Sequence, residues 1–484
     1  MRETLGRAEG IQPALILRAT AWGETWQYTF EKEGPMARMT RREFVRGMVA
    51  AGSIGALSAI PSRAPAQSKG VTLRALVYPY PVTKAIRDML PEYEKQTGVK
   101  VEWEEAPYAD VLSKQMTELI AKGGRYDIFN MSNKFVGAEA GTGELLPLDD
   151  LIAKAGGDLD WQDFMPKQKQ MFNYKGKVYA IPLSSNIMLC AYRKDVFDQE
   201  GIKVPLLGTS FTHSEWTGIV KRLTKDGHKG TSWPTQAMQV PSENWSNVML
   251  SAGGRWFDEN LTPRLNSKEG LLAVEWMREL MNYAPKDMLR FTNVETNEAM
   301  MSGEVLTQTL QWASRIPMIE DKEKSKVVGK VRWSTLPFAG WVPGRKVGLA
   351  ANDAWSFAIP KASKHQREAM DFAVWAVSKD KQARFINELQ VPPTRSSVFD
   401  KPELQQKYVW LPVMKVQLEN AYDFPNIPEW SEILEKVGAE IHAGWSGQNP
   451  LAKALDRAND LVTQLLTERN YPVGTWKGAK LPWE

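Results

Sequence analysis

Apolar and polar positions alternate at Val71, Leu73, Ala75 and Val77, and this two-residue repeat predicts a strand. Tyr78-Pro79-Tyr80-Pro81 ends it, because proline brings no donor to a ladder, and leaves two tyrosines at the strand's carboxyl end. Val82, Ile86, Met89, Leu90 and Tyr93 then recur at helical spacing, Gly98 stands where a helix C-cap belongs, and alternation resumes at Val99, Val101 and Trp103. A second helical pattern follows in Val111, Leu112, Gln115, Leu119 and Ile120, ahead of a short strand over 126–131. Strand, helix, strand units of this kind predict a mostly parallel sheet with helices on both faces and ligands at the carboxyl ends of its strands.

Farther along, Thr212-His213-Ser214-Glu215 has the form of a capping box, and Trp216, Ile219, Val220 and Leu223 continue at helical spacing. Ser363 and Gln366 form a second such pair, ahead of Ala369, Phe372, Ala373 and Ala376. Helical stretches such as 271–280 alternate with short strand candidates at 178–181 and 356–359. The stretch 411–469 reads as mainly helical with a proline break at 425–428. Trp216, Trp276 and Trp375 sit at helical spacing and read as packing residues.

The length of 484 residues, at about 150 per domain, suggests roughly three domain-sized units or two large ones. Much of the charge imbalance belongs to the start of the chain. Arg41-Arg42 precede Phe44 and an uncharged stretch at 47–60, too short to span a bilayer and suited to a signal peptide. Ala64-Pro65-Ala66 then predicts cleavage between Ala66 and Gln67. The arginine pair resembles a twin-arginine export signal. Residues 1–35 lie upstream of the usual layout, so translation is expected to start at Met36 or Met39. No cysteine stands near the cleavage point, which excludes a lipid anchor there. Without the segment 1–66 the net charge is +1, and no basic stripe argues for a nucleic-acid partner.

The common catalytic frameworks fail by inspection: there is no phosphate loop, no His-Glu-x-x-His, no Gly-x-Ser-x-Gly elbow and no Gly-x-Gly-x-x-Gly after a strand. His213, His228, His365 and His442 lack metal-ligand spacing, and Cys190 lies in an apolar stretch that predicts an inert buried thiol. No cofactor is expected. Neighbouring acids at Glu104-Glu105, Asp149-Asp150 and Asp258-Glu259 would serve a glycosidase only if the fold united them. The distinctive feature is tryptophan, 19 in all, a side chain whose flat apolar face stacks on the C–H face of a sugar ring.

Several segments together resemble the extracellular solute-binding proteins of ABC transporters, in the sugar-binding family that includes maltose-binding proteins. Glu94-Lys95-Gln96-Thr97-Gly98-Val99-Lys100-Val101 matches that family's first helix end and second strand, and Tyr126-Asp127-Ile128-Phe129 its strand into the cleft. Gly176-Lys177-Val178-Tyr179-Ala180-Ile181-Pro182 and Tyr192-Arg193-Lys194-Asp195 resemble its hinge crossing and its Tyr-Asn-Lys-Asp element, with Arg193 replacing Asn. Met300-Met301-Ser302-Gly303-Glu304-Val305 with Trp312, and Asp353-Ala354-Trp355-Ser356-Phe357, resemble two further segments, the latter without the family's two glycines.

The resemblance implies an α/β, two-lobed periplasmic-binding-protein fold of type II, its hinge crossed three times. After a removed leader at 1–66, the N-terminal lobe is expected over 67–183 and 347–400. The C-terminal lobe is expected over 184–346, with a helical segment at 401–484 packed mainly on it. Carried over by position, the ligand-binding residues are Tyr78, Tyr80, Ser132, Asn133, Asn186, Trp245, Trp312, Asp353, Trp355 and Arg395. This set suits a neutral polyhydroxylated ligand, although Arg395 or Lys134 could pair with a charged one. The resemblance further implies a monomeric, non-enzymatic periplasmic protein that captures a sugar or polyol. Its partners would be an ABC permease, the permease's ATPase subunits and, for the precursor, the twin-arginine export machinery. The competing readings are an exported carbohydrate-active enzyme and a sugar sensor acting on a receptor.

Overall fold

The computed structural model describes residues 70–236, 238–478 and 480–482, together with the backbone of Arg18–Trp22 and Thr25–Thr29. The export signal, its cleavage site and the expected internal start lie outside these residues. The chain forms two compact units, Met1–Ala64 and Pro65–Glu484. In the first, Arg18–Trp22 pairs antiparallel with Thr25–Thr29.

The larger unit opens with the expected strand, helix, strand run: β1 (Thr72–Val77), α1 (Pro81–Thr97) and β2 (Lys100–Glu105). Pro81 sits in the first turn of α1, where a missing N–H costs no helical bond, and Gly98 ends the helix in the left-handed region at φ 75°. After α2 (Tyr108–Ala121) comes β3 (Ile128–Ser132). Strands β2 and β3 flank β1 in parallel, with Leu73 opposite Val101 and Ala75 opposite Ile128. Leu73, Ala75 and Val77 point into one apolar cluster and Leu76 into another, so β1 is buried on both faces as a covered parallel strand must be.

The long strand β4 (Ala180–Arg193) belongs to both halves of the sheet. Its first part pairs antiparallel with β7 (Ala350–Ala358), from Ala180 opposite Ala358 to Ile187 opposite Asn352. Its second part pairs with β5 (Thr307–Trp312) and β6 (Val331–Ser334). Strand β7 makes the return passage. Its first residues pair with the two-residue strand Ala421–Tyr422, its last with β3. The order across the sheet is therefore β6-β4-β7-β3-β1-β2, with β5 also on β4. Beyond the helices Gln366–Ala376 and Lys379–Leu389 the chain returns to the second half. There the Gln417 amide accepts from Leu336 N–H and donates to the Gly348 carbonyl.

The two capping signals have different outcomes. Thr212 accepts from the Glu215 amide and Glu215 from the Thr212 amide, which starts α3 (His213–Leu223). Ser363 does not cap the helix Gln366–Ala376, which begins three residues later after His365: its hydroxyl oxygen accepts from His365 N–H at 3.1 Å, two residues on, while its hydrogen goes to Asp127 at 2.6 Å. Trp216 and Trp276 are core residues, their indole N–H groups donating to Thr309 and Thr217. Cys190 is fully buried, and burial pushes its thiol well above the usual value. Among the described residues no helix is long and apolar enough to cross a membrane, and no cluster of acids, histidines or cysteines could hold a metal.

Candidate functional site

The carboxyl ends of β1 and β3 meet the middle of β7. The turn after β1 is held by Thr83, whose hydroxyl accepts from Tyr80 N–H at 2.9 Å and donates to the Tyr78 carbonyl at 2.8 Å. This presents the Tyr78 and Tyr80 rings stacked at 5.9 Å, with 14° between planes. On β7, Asp353 and Trp355 share a face because strand side chains alternate. The Trp355 indole lies 4.9 Å from Tyr78 and 5.7 Å from Tyr80, and receives the edges of Tyr108 at 6.0 Å and Phe135 at 6.3 Å. Five aromatic side chains thus form one wall. The Tyr80 hydroxyl is hydrogen-bonded to Ser184 on β4 at 2.9 Å, and burial pushes its phenol above the usual value despite that bond. Tyr108 stands at the open rim of this wall, 38% exposed.

The facing groups are charged. Lys134, in the turn after β3, reaches Glu243 of α4 (Val240–Ser251) at 2.7 Å and Asp353 at 3.9 Å. Its ammonium lies 5.7 Å from the Trp312 ring and 5.8 Å from Phe424, geometry in which ring faces attract a cation. Burial works against the charge on Lys134, but Glu243, Asp353 and Tyr108 outweigh it and hold the ammonium above its usual pKa. Burial moves Glu243 in the same direction, upward, with Lys134 only partly opposing it. Two carboxylates around one ammonium make this the expected coupling, since the pair cannot both be fully compensated.

Asn186 of β4 links the two sides. Its amide N–H donates to Asp353 at 3.2 Å, and its carbonyl accepts from Ser314 N–H at 3.0 Å. Arg315, next in the turn after β5, has its Nε buried without an acceptor among the described residues, and its Nη1 lies 3.8 Å from the Met318 sulfur. Burial pulls its guanidinium below the usual value, with nearby Tyr78 opposing.

Of the ten expected site residues, the structure gathers Tyr78, Tyr80, Asn186, Trp312, Asp353 and Trp355. Ser132 and Asn133 stand at the edge of this cluster with internal partners. Ser132 accepts from Lys134 N–H, while Asn133 donates to the Asn352 carbonyl and accepts from Ala354 N–H, pinning β7. Trp245 and Arg395 require correction. Trp245 is fully buried, donates to the Gly270 carbonyl at 2.9 Å and packs edge-on against Trp256. It follows Glu243 by two residues, about 200° around the helix, so the face that carries Glu243 to the site carries Trp245 away from it. Arg395 is 1% exposed beside 159–163, donating to the carbonyls of Val377 at 2.7 Å and Leu159 at 2.8 Å and stacking over Phe164.

Sequence reasoning missed Tyr108, Phe135, Glu243, Arg315 and Phe424. Tyr108 follows β2 at a carboxyl strand end, the rule that found Tyr78, and was findable. Glu243 was not: α4 is buried on nearly every side, so its pattern marks no ligand face.

A family model for bacterial extracellular solute-binding proteins matches residues 88–409. The mannitol-binding protein of Pseudomonas aeruginosa is 23% identical over 406 residues, covering 78% of this chain and 89% of its own. A probable amino-acid ABC transporter periplasmic-binding protein of Sinorhizobium fredii is 21% identical, covering 90% of this chain and 99% of its own. Among solved structures, an ABC transporter solute-binding protein from Agrobacterium radiobacter in complex with ribitol superposes with a TM-score of 0.72 at 27% identity, over 82% of this chain and 99% of that one.

Proposed function

The chain belongs to the bacterial extracellular solute-binding protein family, whose members are binding proteins, and from that premise we propose that it is the substrate-binding component of an ABC importer. In this reading it captures a sugar or polyol by hinge closure and delivers it to a membrane permease and its ATPase subunits. The protein works in the periplasm as a monomer without catalytic activity, after export by the twin-arginine route and cleavage near Ala66. The lobes divide near residues 183, 346 and 400. Support for that division comes from β4 and β7, each of which has partners in both halves of the sheet.

The observation that carries the ligand class is the pairing of an aromatic wall with a polar one. Tyr78, Tyr80 and Trp355 offer flat apolar surface, while Asp353, Asn186, Glu243 and Arg315 offer acceptors and donors within one cluster. Polyhydroxylated ligands need both, because each hydroxyl presents a donor and an acceptor beside apolar C–H groups. The binding residues of this reading are Tyr78, Tyr80, Asn186, Trp312, Asp353 and Trp355, joined by Tyr108, Glu243 and Arg315. The ribitol and mannitol relatives favour a small polyol. A thermal-shift screen of sugars, alditols and amino acids tests the reading. Stabilisation by a sugar or alditol without turnover supports it, and stabilisation by amino acids alone refutes it.

A further inference from the structure

Four charged side chains stand at the site, and they are not equivalent. Lys134 is enclosed: its ammonium is 2.7 Å from Glu243 and 3.9 Å from Asp353, with all three side chains at most 13% exposed. Ring faces of Trp312 and Phe424 cover it further. Arg315 is different, since among the described residues no carboxylate lies within ion-pair distance of it and its Nε is buried without an acceptor. The formal charges of Lys134, Arg315, Glu243 and Asp353 sum to zero. Arg315 therefore completes a neutral set while leaving its donors available to uncharged oxygens.

Glu243 decides this balance. It reaches the site from α4, whose same face is fixed to the crossing strands four residues later, where Asn247 accepts from Ala351 N–H at 2.6 Å. Without Glu243 the Lys134 ammonium would face only Asp353, at 3.9 Å, and the site would carry a surplus positive charge. A carboxylate or phosphate on a ligand would then find an unpaired partner. With Glu243 present, the same anion meets two carboxylates already turned toward the enclosed ammonium, a like-charge juxtaposition that weakens its binding.

We propose that Glu243 is a specificity-determining residue: by occupying Lys134 it restricts the site to neutral polyhydroxylated solutes and excludes their acidic counterparts. The inference rests on the ligand reading above. It assigns Glu243 a selective role distinct from holding the fold, and assigns Arg315 as the donor that reads ligand hydroxyl oxygens.

Matched ligand pairs of equal carbon number test it, mannitol against mannonate and ribitol against ribonate, titrated calorimetrically into the wild-type protein, Glu243→Gln and the double variant Lys134→Gln/Glu243→Gln. The wild type is expected to prefer the alditol on the order of 100-fold. Glu243→Gln should move that ratio toward the aldonate by at least about tenfold, because it frees the ammonium. The double variant, lacking both charges, should recover the preference. Equal wild-type affinity for alditol and aldonate overturns the inference, as does a Glu243→Gln protein that binds both more weakly at an unchanged ratio. If Glu243→Gln does not fold, the wild-type ratio and the double variant still decide. A wild type that binds an aldonate and no alditol refutes this inference alone, whereas one that binds no neutral sugar or alditol in the wider screen refutes the ligand reading with it.

Discussion

The indole of Trp355 and the phenol ring of Tyr78 stack at 4.9 Å with 23° between their planes, although 277 positions of sequence separate them. Strand β3 makes the contact possible, because it pairs with β1 on one side and with β7 on the other, where Ser132 lies opposite Trp355. The aromatic wall is therefore a property of strand order. Its position at the carboxyl ends of parallel strands is where an open α/β sheet leaves room for a ligand.

Trp355→Ala removes the centre of that wall. The expected effect is a loss of about 2 kcal/mol in ligand binding, roughly 30-fold in Kd, with Trp355→Phe intermediate. Calorimetry on both variants checks it. An unchanged Kd in Trp355→Ala would remove the indole from the site.

Trp245→Ala should behave in the opposite way. The side chain is fully buried and its N–H is paired with Gly270, so truncation should destabilise by about 3–5 kcal/mol while the folded fraction keeps its ligand affinity. Urea denaturation and calorimetry on one sample separate the two effects.

Asp163 anchors Arg395 and predicts a pH dependence. Burial pushes its carboxyl up, but the Ser397 hydroxyl and amide, with Lys379 and Arg395, outweigh it and hold the group below its usual value. A depressed carboxylate contributes stability that is present above its unfolded pKa, about 3.9, and lost as pH falls through the folded value. The difference in unfolding free energy between wild type and Asp163→Asn should be constant near neutrality and shrink below about pH 4. A difference that does not change with pH would show that Asp163 acts by packing alone.

Export gives a further prediction. Replacing Arg41 and Arg42 by Lys should leave the precursor in the cytoplasm, read by fractionation and blotting. Unaltered export of that double variant would contradict the twin-arginine route.

The elements with a strong period were legible in the sequence: β1, α1 and β2 follow from alternation at Leu73, Ala75 and Val77, helical spacing through Tyr93, and Gly98. Signals that depend on competition were not. Ser363 has capping-box spacing, yet its oxygen accepts from His365 N–H, two residues on, and its hydrogen goes to Asp127, 236 positions away, so the helix starts after it. Trp245 and Glu243 show the same limit at the site, because on a helix buried all round the phase that decides which residue meets the ligand is set by the neighbouring strands. Trp312, Trp355 and Asp353 were reached by resemblance at fixed positions. Arg395 was reached in the same way, but its guanidinium is taken by the Val377 and Leu159 carbonyls.

The most direct test of the binding account is calorimetric titration of the wild-type protein and Trp355→Ala with ribitol, mannitol and a panel of neutral sugars, with product analysis afterwards. The account predicts saturable one-to-one binding of at least one neutral polyhydroxylated ligand, recovered intact and held much more weakly by the variant. A ligand at 100 times its Kd should also stabilise the wild type by about 2.7 kcal/mol. Absence of binding across the panel, equal binding by Trp355→Ala, or cleavage of the ligand would contradict it.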